Sequence, residues 1–491
     1  MLTYDQLTPP ERRLWDAFPE GRLVDLRAGD PGTDDPVGDA EWPESRSVRA
    51  AVVAALLLGA NAAPSGAVPA LRLAGARITG RLDLSGAELA HALSLEGCRL
   101  DETVSLAGAT ARTVRIKWSR LPGVDAHLAR IEGSFGLRGS VLRGDGLVLS
   151  NATVAGEVNL ADATISGRRT WAVLAGGLSA GGAVFAERLT TVGGVRMPGA
   201  SLPRGLFLTG AVLRNPGGDA LSAGQLSAST VDCSAGFTAT GTVRFRNARI
   251  EDLLSFEDAT LRGELVGTAL QAGDLDLRTA EPPGGTVDLR SARVTSYRDR
   301  EDSWPAQVLL EGFVYDALRS GETFSRIELR RRLAWVARHP GYAPQPYEQL
   351  AAWYRQMGHE TYARRVILEK HRRHRRTLHF TGRLWGRMLD VTVGYGFRPW
   401  LAGLWLAALS LCGTLVFRAH TPTPVKPGEG SPFQPFVYTL DLLVPFGGLG
   451  QRTAWYWKDD VSQWLAYGLV GAGWLLTTAV VAGVTRILSR N

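Results

Sequence analysis

Few residues in this chain of 491 are spaced for chemistry. His371 and His374 stand three apart in a helical stretch and could share a metal ion. No third ligand accompanies them, and Arg372, Arg373, Arg375 and Arg376 surround them, so a solvated basic shelf is the simpler reading. Asp274 and Asp276 alternate with Leu275 and Leu277, a strand pattern that sends both acids outward and builds no buried dyad. Cys98, Cys233 and Cys412 form no CxxC pair, which argues against a thiolate metal site or a disulfide framework and suits a reducing compartment. The chain contains no Walker loop, no HExxH, no GxSxG elbow and no GxGxxG after a strand. The Gly pairs at 176–177, 181–182 and 193–194 read as turns. No catalytic, cofactor-binding or metal-ligating residue is assigned, no cofactor is expected, and an enzyme ranks last among the function classes.

The elements around these residues are set by a repeat. From Leu71 the chain reads LRLAGARI, then LDLSGAEL from Leu82, LSLEGCRL from Leu93 and VSLAGATA from Val104. Related units return irregularly until VDLRSARV at Val287. Leu82 and Leu84 alternate and face one way from a short strand, Gly86 suits a turn, Ala87 fits under a tight corner, and Leu89 points inward again. One unit cannot bury its own apolar row, whereas stacked units can. Two units make a coil of roughly 22 residues, so the region 71–294 predicts a β-solenoid. The polar residues between the apolar ones form its outer surface and need no functional role.

Solenoid ends are open sheet edges that must be covered. Upstream, 45–60 is rich in helix formers. Downstream, 309–318, 325–340 and a hairpin over 345–376 broken at Gly358 are the helical candidates. The expected fold class is mainly β: a single-stranded β-solenoid of irregular half-coils of about 11 residues with helical caps, then a helical segment and two transmembrane helices. The domains are 1–70 (helical cap), 71–300 (solenoid), 301–380 (cap and basic hairpin) and 381–491 (membrane domain).

The membrane expectation rests on two uncharged apolar stretches, 400–417 and 464–484, close to the roughly 20 residues that span hydrocarbon. Arg383, Arg387 and Arg398 precede the first, and Trp400 and Trp464 sit where aromatic rings favour the interface. The arginines place both termini and the solenoid inside the cell, with 418–463 outside, in a multi-pass protein of the cell membrane whose partner is the lipid bilayer. Gly403, Gly413, Gly471 and Gly473 would let the spans pair closely. Thr392-Val393-Gly394-Tyr395-Gly396 spells the carbonyl filter of potassium channels, yet it lies before the first span, where a turn is the better reading. Between the spans, a short helix bearing Asp441 runs toward Pro445, Gly447 and Gly448, the outline of a re-entrant pore segment or of an amphipathic helix lying on the surface.

Two resemblances follow from these residues. SGAEL, EDATL and RNARI resemble units of the pentapeptide-repeat family, although the period here is eleven with slips, and the coil type also resembles short-strand solenoids of the bacterial cytoskeletal kind. From about residue 45 onward, DVTVGYGFRPW, YTLDLLVPFGGLGQ and the final VAGVTRIL resemble a group of actinobacterial membrane proteins with an irregular repeat domain, sometimes labelled membrane-associated oxidoreductases. That resemblance implies an architecture and no known chemistry. The functional expectation is a membrane-tethered cytoplasmic scaffold with a protein partner or a second copy of itself, and no nucleic acid. An oligomeric ion or small-solute channel, or its regulator, is the alternative.

Overall fold

The computed structural model describes residues 3–38, 40–61, 66–319, 325–377, 400–420, 422–426, 431–444, 448–458 and 460–488. The chain divides into two compact units, Met1–Gln349 and Leu350–Asn491.

The first unit is a β-solenoid. Its strands are short because each repeat supplies only two or three extended residues before a corner. Leu71 lies beside Leu93, Leu93 beside Val114, and Val114 beside Phe135, all in parallel. A coil is therefore about 22 residues long, stacked on the next at roughly 4.8 Å. Each coil has four short sides. In one, Val141–Leu142, Leu147–Val148, Thr153–Val154 and Val158–Asn159 pair with Thr164–Ile165, Val173–Leu174, Ser179–Ala180 and Val184–Phe185 of the next. Inward residues such as Leu142, Leu147, Val154 and Val158 are at most 1% exposed and fill the axis. Burying each such side chain contributes roughly 1.5–3 kcal/mol, against the entropy of ordering its short strand.

The corners explain the repeat's small step. The Ala87 N–H donates to the Leu84 carbonyl, and Gly86, the third residue of that turn, has φ of 65°. A turn of this kind needs a positive φ there, which glycine adopts without strain. Asn151, Asp162, Asn247 and Asp258 take the same place in other coils, as do the less suited Trp118, Leu128 and Arg188. The small residue after the turn is buried beneath it, as at Ala76, Ala109, Ala152 and Ala211.

Regularity breaks where half-coils lengthen. The strands Thr164–Leu174 and Val212–Ser222 are each 11 residues long, and their registers slip between Ser166 and Trp171 and between Arg214 and Asp219. The extra residues bulge outward and leave the inward rows aligned.

Both ends of the stack are covered. Upstream, the strand Leu23–Asp25 pairs with Arg72–Ala74 and the strand Ser47–Arg49 with Arg77–Thr79. The helix Ala50–Leu57 then buries Val52, Val53, Leu56 and Leu57. The helical stretch expected over 45–60 is thus shorter and begins with a strand. Downstream, 309–318 is not helical: Val308–Leu309 and Val314–Arg319 form a further coil. The helix Arg326–Val336 follows, with Leu329, Trp335 and Val336 buried.

The second unit is helical. The helix Gln345–Gln356 enters it across the boundary between the units and is followed, after Gly358 at φ 78°, by Glu360–Thr377. The apolar stretches lie in the helices Trp400–Ala419 and Asp460–Leu488. Among the described residues no helix is long and apolar enough to cross a membrane. That finding overturns the two transmembrane helices, the tether, the bilayer as partner, the pore and the multi-pass localisation with its orientation. Some apolar side chains of these helices have another use, while others such as Leu404, Leu411 and Leu415 stay exposed. Phe417, Tyr438, Leu442, Leu443, Trp457, Ala466 and Leu469 pack into one core, which the short helix Pro435–Leu443 completes. Gly413 lies against Thr439 and Leu469, and Gly473 against the Leu443 carbonyl, so the small residues admit this third helix.

Candidate binding groove

The solenoid stacks equivalent positions into columns, and one column supplies the candidate site. Ser227, Arg249, Gln271, Arg293 and Val314 lie beside one another on successive coils. Two residues further along each coil come Glu251, Gly273, Thr295 and Asp316. Between these rows runs a groove of about 800 Å³, with Ile250, Ala272 and Val294 beneath it.

A local irregularity shapes the groove. Ile250 pairs with Ala272 and Leu253 with Asp274, so Glu251 and Asp252 together oppose the single residue Gly273. Such a bulge bends its strand and re-aims its side chains. A Cβ at Gly273 would collide with the Glu251 and Asp252 carbonyls, so glycine lets the backbones close up and keeps the floor low. Arg249, Gln271 and Arg293 stand exposed on one bank, with Glu251 and Asp316 exposed on the other. These arginines and acids form no ion pair with one another or with any other described residue. By contrast, the neighbouring Asp274 is held by Arg298 at 3.0 Å.

Asp276 departs from the expected outward pair. It is 2% exposed and accepts hydrogen bonds from both the guanidinium and the backbone N–H of Arg278, which is structural. A second buried polar centre lies at the downstream end of the solenoid. Arg332 pairs through two nitrogens with Asp299 at 2.8–2.9 Å and through Nε with Glu328 at 3.0 Å, while Trp304 Nε1 donates to Asp299. Burial works against the Arg332 cation, but Asp299 and Glu328 outweigh it and hold its pKa above the ordinary value. This triad joins the helix Arg326–Val336 to the last coils.

The sequence-derived residues fall elsewhere. Arg383, Arg387, Arg398, Pro445, Gly447 and the 392–396 motif lie outside the described residues. Trp400 begins its helix, and Trp464 is 72% exposed. Asp441 is 3% exposed and accepts the N–H groups of Leu449 and Arg452 at 2.7 Å each, so it ties its helix to the residues that follow Gly448. His371 and His374 share the helix Glu360–Thr377, and among the described residues no group of three His, Cys, Asp or Glu side chains is placed to hold a metal. Sequence reading assigned the groove residues to an outer surface without a role. The signal that finds them is their column: Arg249, Gln271 and Arg293 recur every 22 residues.

No family model matches the chain, and no curated protein or solved structure is similar to it. The resemblances to pentapeptide-repeat proteins and to actinobacterial membrane proteins are corrected accordingly: the chain shares a β-solenoid architecture, and no family assignment follows.

Proposed function

We propose that this chain is a β-solenoid scaffold that binds without performing chemistry, and that the 249–316 groove receives an extended polypeptide segment carrying charges of both signs. One observation carries the reading. Two unpaired cations, Arg249 and Arg293, stand on one bank and two unpaired anions, Glu251 and Asp316, on the other, spread over the four stacked coils of the groove. An extended segment repeats side chains to one face every 6–7 Å, and on a rigid wall its charges find fixed partners. The solenoid supplies that rigidity, since each coil is clamped between two others.

Site-specific photocrosslinking in producing cells tests this. A photoreactive residue at Gln271 is expected to give a discrete adduct that is absent with the probe at Arg115, on a different part of the surface. Arg249→Glu with Arg293→Glu should abolish the adduct while leaving thermal unfolding unchanged. Equal adducts at both probe positions, or an adduct indifferent to charge reversal, would exclude the groove.

A further inference from the structure

A second column has a different chemistry. Arg77 pairs in register with Arg99, and Arg99 with Arg120. One coil further, Val141 takes the column position, and Arg143 lies two residues beyond it on the strand Val141–Val148. The four arginines line a groove of about 540 Å³ with Trp42 and Pro122, within the range of roughly 300–1,000 Å³ usual for ligand sites. Glu41 and Asp101 also line it, so among the described residues four cations meet two carboxylates.

The arginines are not equivalent. Arg77 is paired with Asp101 at 3.0 Å. Arg99 is fixed: it donates to the carbonyls of Asp35, Gly38 and Ala40, and its guanidinium lies 4.5 Å from the Trp42 ring centre. Its buried Nε has no hydrogen-bond partner among the described residues. Arg120 and Arg143 have no carboxylate or hydrogen-bond acceptor among the described residues. Like charges placed directly opposite on neighbouring strands destabilise a sheet. Here three guanidinium groups recur at the rung spacing of roughly 4.8 Å. Burial, and next the Arg120 charge, push the Arg99 pKa down, as expected where cations crowd.

We infer that this groove is an anion-binding site for a chain of phosphoryl groups, with Arg120 and Arg143 as its free ligands and Arg99 as its fixed base. Arginine's planar fork matches phosphoryl oxygens, and a column of forks at rung spacing suits linked phosphates better than a single one. Trp42 offers no stacking platform for a base, because Arg46 covers its other face at 3.8 Å. Recognition therefore falls on the phosphoryl chain, whether free or carried by a nucleotide.

Isothermal titration of the full chain tests the site with inorganic tripolyphosphate, orthophosphate and ATP. Saturable binding of tripolyphosphate is expected, with orthophosphate at least about 10-fold weaker, as loss of charge-assisted contacts implies. Arg120→Ala with Arg143→Ala should weaken tripolyphosphate binding by about 10-fold or more, since two charge-assisted contacts go. Arg143→Glu alone, at an exposed position with no partner to lose, should do likewise while thermal unfolding stays unchanged. Arg115→Ala should have no effect. ATP binding as tightly as tripolyphosphate supports a nucleotide as the carrier, and exclusion of ATP supports free polyphosphate. Absence of saturation, or full affinity in both the double variant and Arg143→Glu, overturns the proposal.

Discussion

Glu11 shows how one buried carboxylate holds the upstream end of the solenoid. It is fully buried, caps the helix Pro9–Ala17 by accepting the Thr8 N–H, and reaches across to the Arg49 guanidinium and backbone N–H. Burial pushes its carboxyl pKa up, but the hydrogen bonds from Arg49 and Thr8 outweigh that and leave it below the ordinary value. A depressed folded pKa means the stabilisation is present above the unfolded value of about 4.3 and disappears as pH falls through the folded one. Glu11→Gln is therefore expected to speed hydrogen exchange of the Arg49 amide at pH 7. The difference from the native chain should shrink as pH falls below about 4. A difference that does not change with pH would show that packing, not charge, secures the end. At this scale the sequence was legible where chemistry is local. Gly86 and Ala87 announce their corner because only certain residues suit it. Leu128 and Trp118 at positive φ were not legible, since stacking on the neighbouring coils overrides their own preference.

At the scale of elements, legibility follows the reach of the interaction. The two-apolar, small-step pattern reveals strands and turns because each unit specifies them within eight residues. The covering strands Leu23–Asp25 and Ser47–Arg49 are extended only because an open edge lies beside them, far along the chain. The stretch 309–318 carries apolar residues at spacings that fit either a helix or a coil, and the preceding coil decides for the strand. The apolar runs at 400–417 and 464–484 misled for a related reason: apolar composition alone does not separate a span from a helix that packs one face, as Phe417, Ala466 and Leu469 do while Leu404, Leu411, Leu415 and Trp464 stay exposed. Gly471 and Gly473 separate the roles within one helix. Gly473 lies against the Leu443 carbonyl, whereas the space beside Gly471 is open. Gly473→Ala should destabilise the helical core by about 1–3 kcal/mol through overpacking. Gly471→Ala should stabilise the same helix by up to about 1 kcal/mol through propensity. Exchange protection over 435–443, compared in the two variants, reads the opposite signs; equal shifts would disprove the contact.

At the scale of the whole first unit, each coil depends on its two neighbours. Cys98 and Cys233, at two heights of the stack, are both fully buried. Burial raises the Cys98 pKa to about 11 and puts that of Cys233 well above the ordinary value. In the native protein a thiol reagent at pH 8 should modify the exposed Cys412 promptly and the other two only through opening. Because a stack frays from its ends, Cys98, close to the upstream cover, should react faster than the mid-stack Cys233. Equal rates, read by mass spectrometry of the labelled peptides, would mean that the stack opens only as a whole. The groove residues were invisible at every scale below this one, because Arg249, Gln271 and Arg293 become neighbours only once coils are stacked.

Parallel stacking in register has one more consequence. Thr190 sits beside Val212, and Thr164 beside Thr190, so excising the stretch from Thr190 to Ala211 would set Thr164 against Val212. The two lengthened strands would then meet, both end covers would find the same edges, and the stack would be shorter by one step of roughly 4.8 Å. Duplicating a coil would lengthen it by the same step. The solenoid is thus a gauge whose length changes in fixed increments, so the distance between its two ends can be reset without redesigning either.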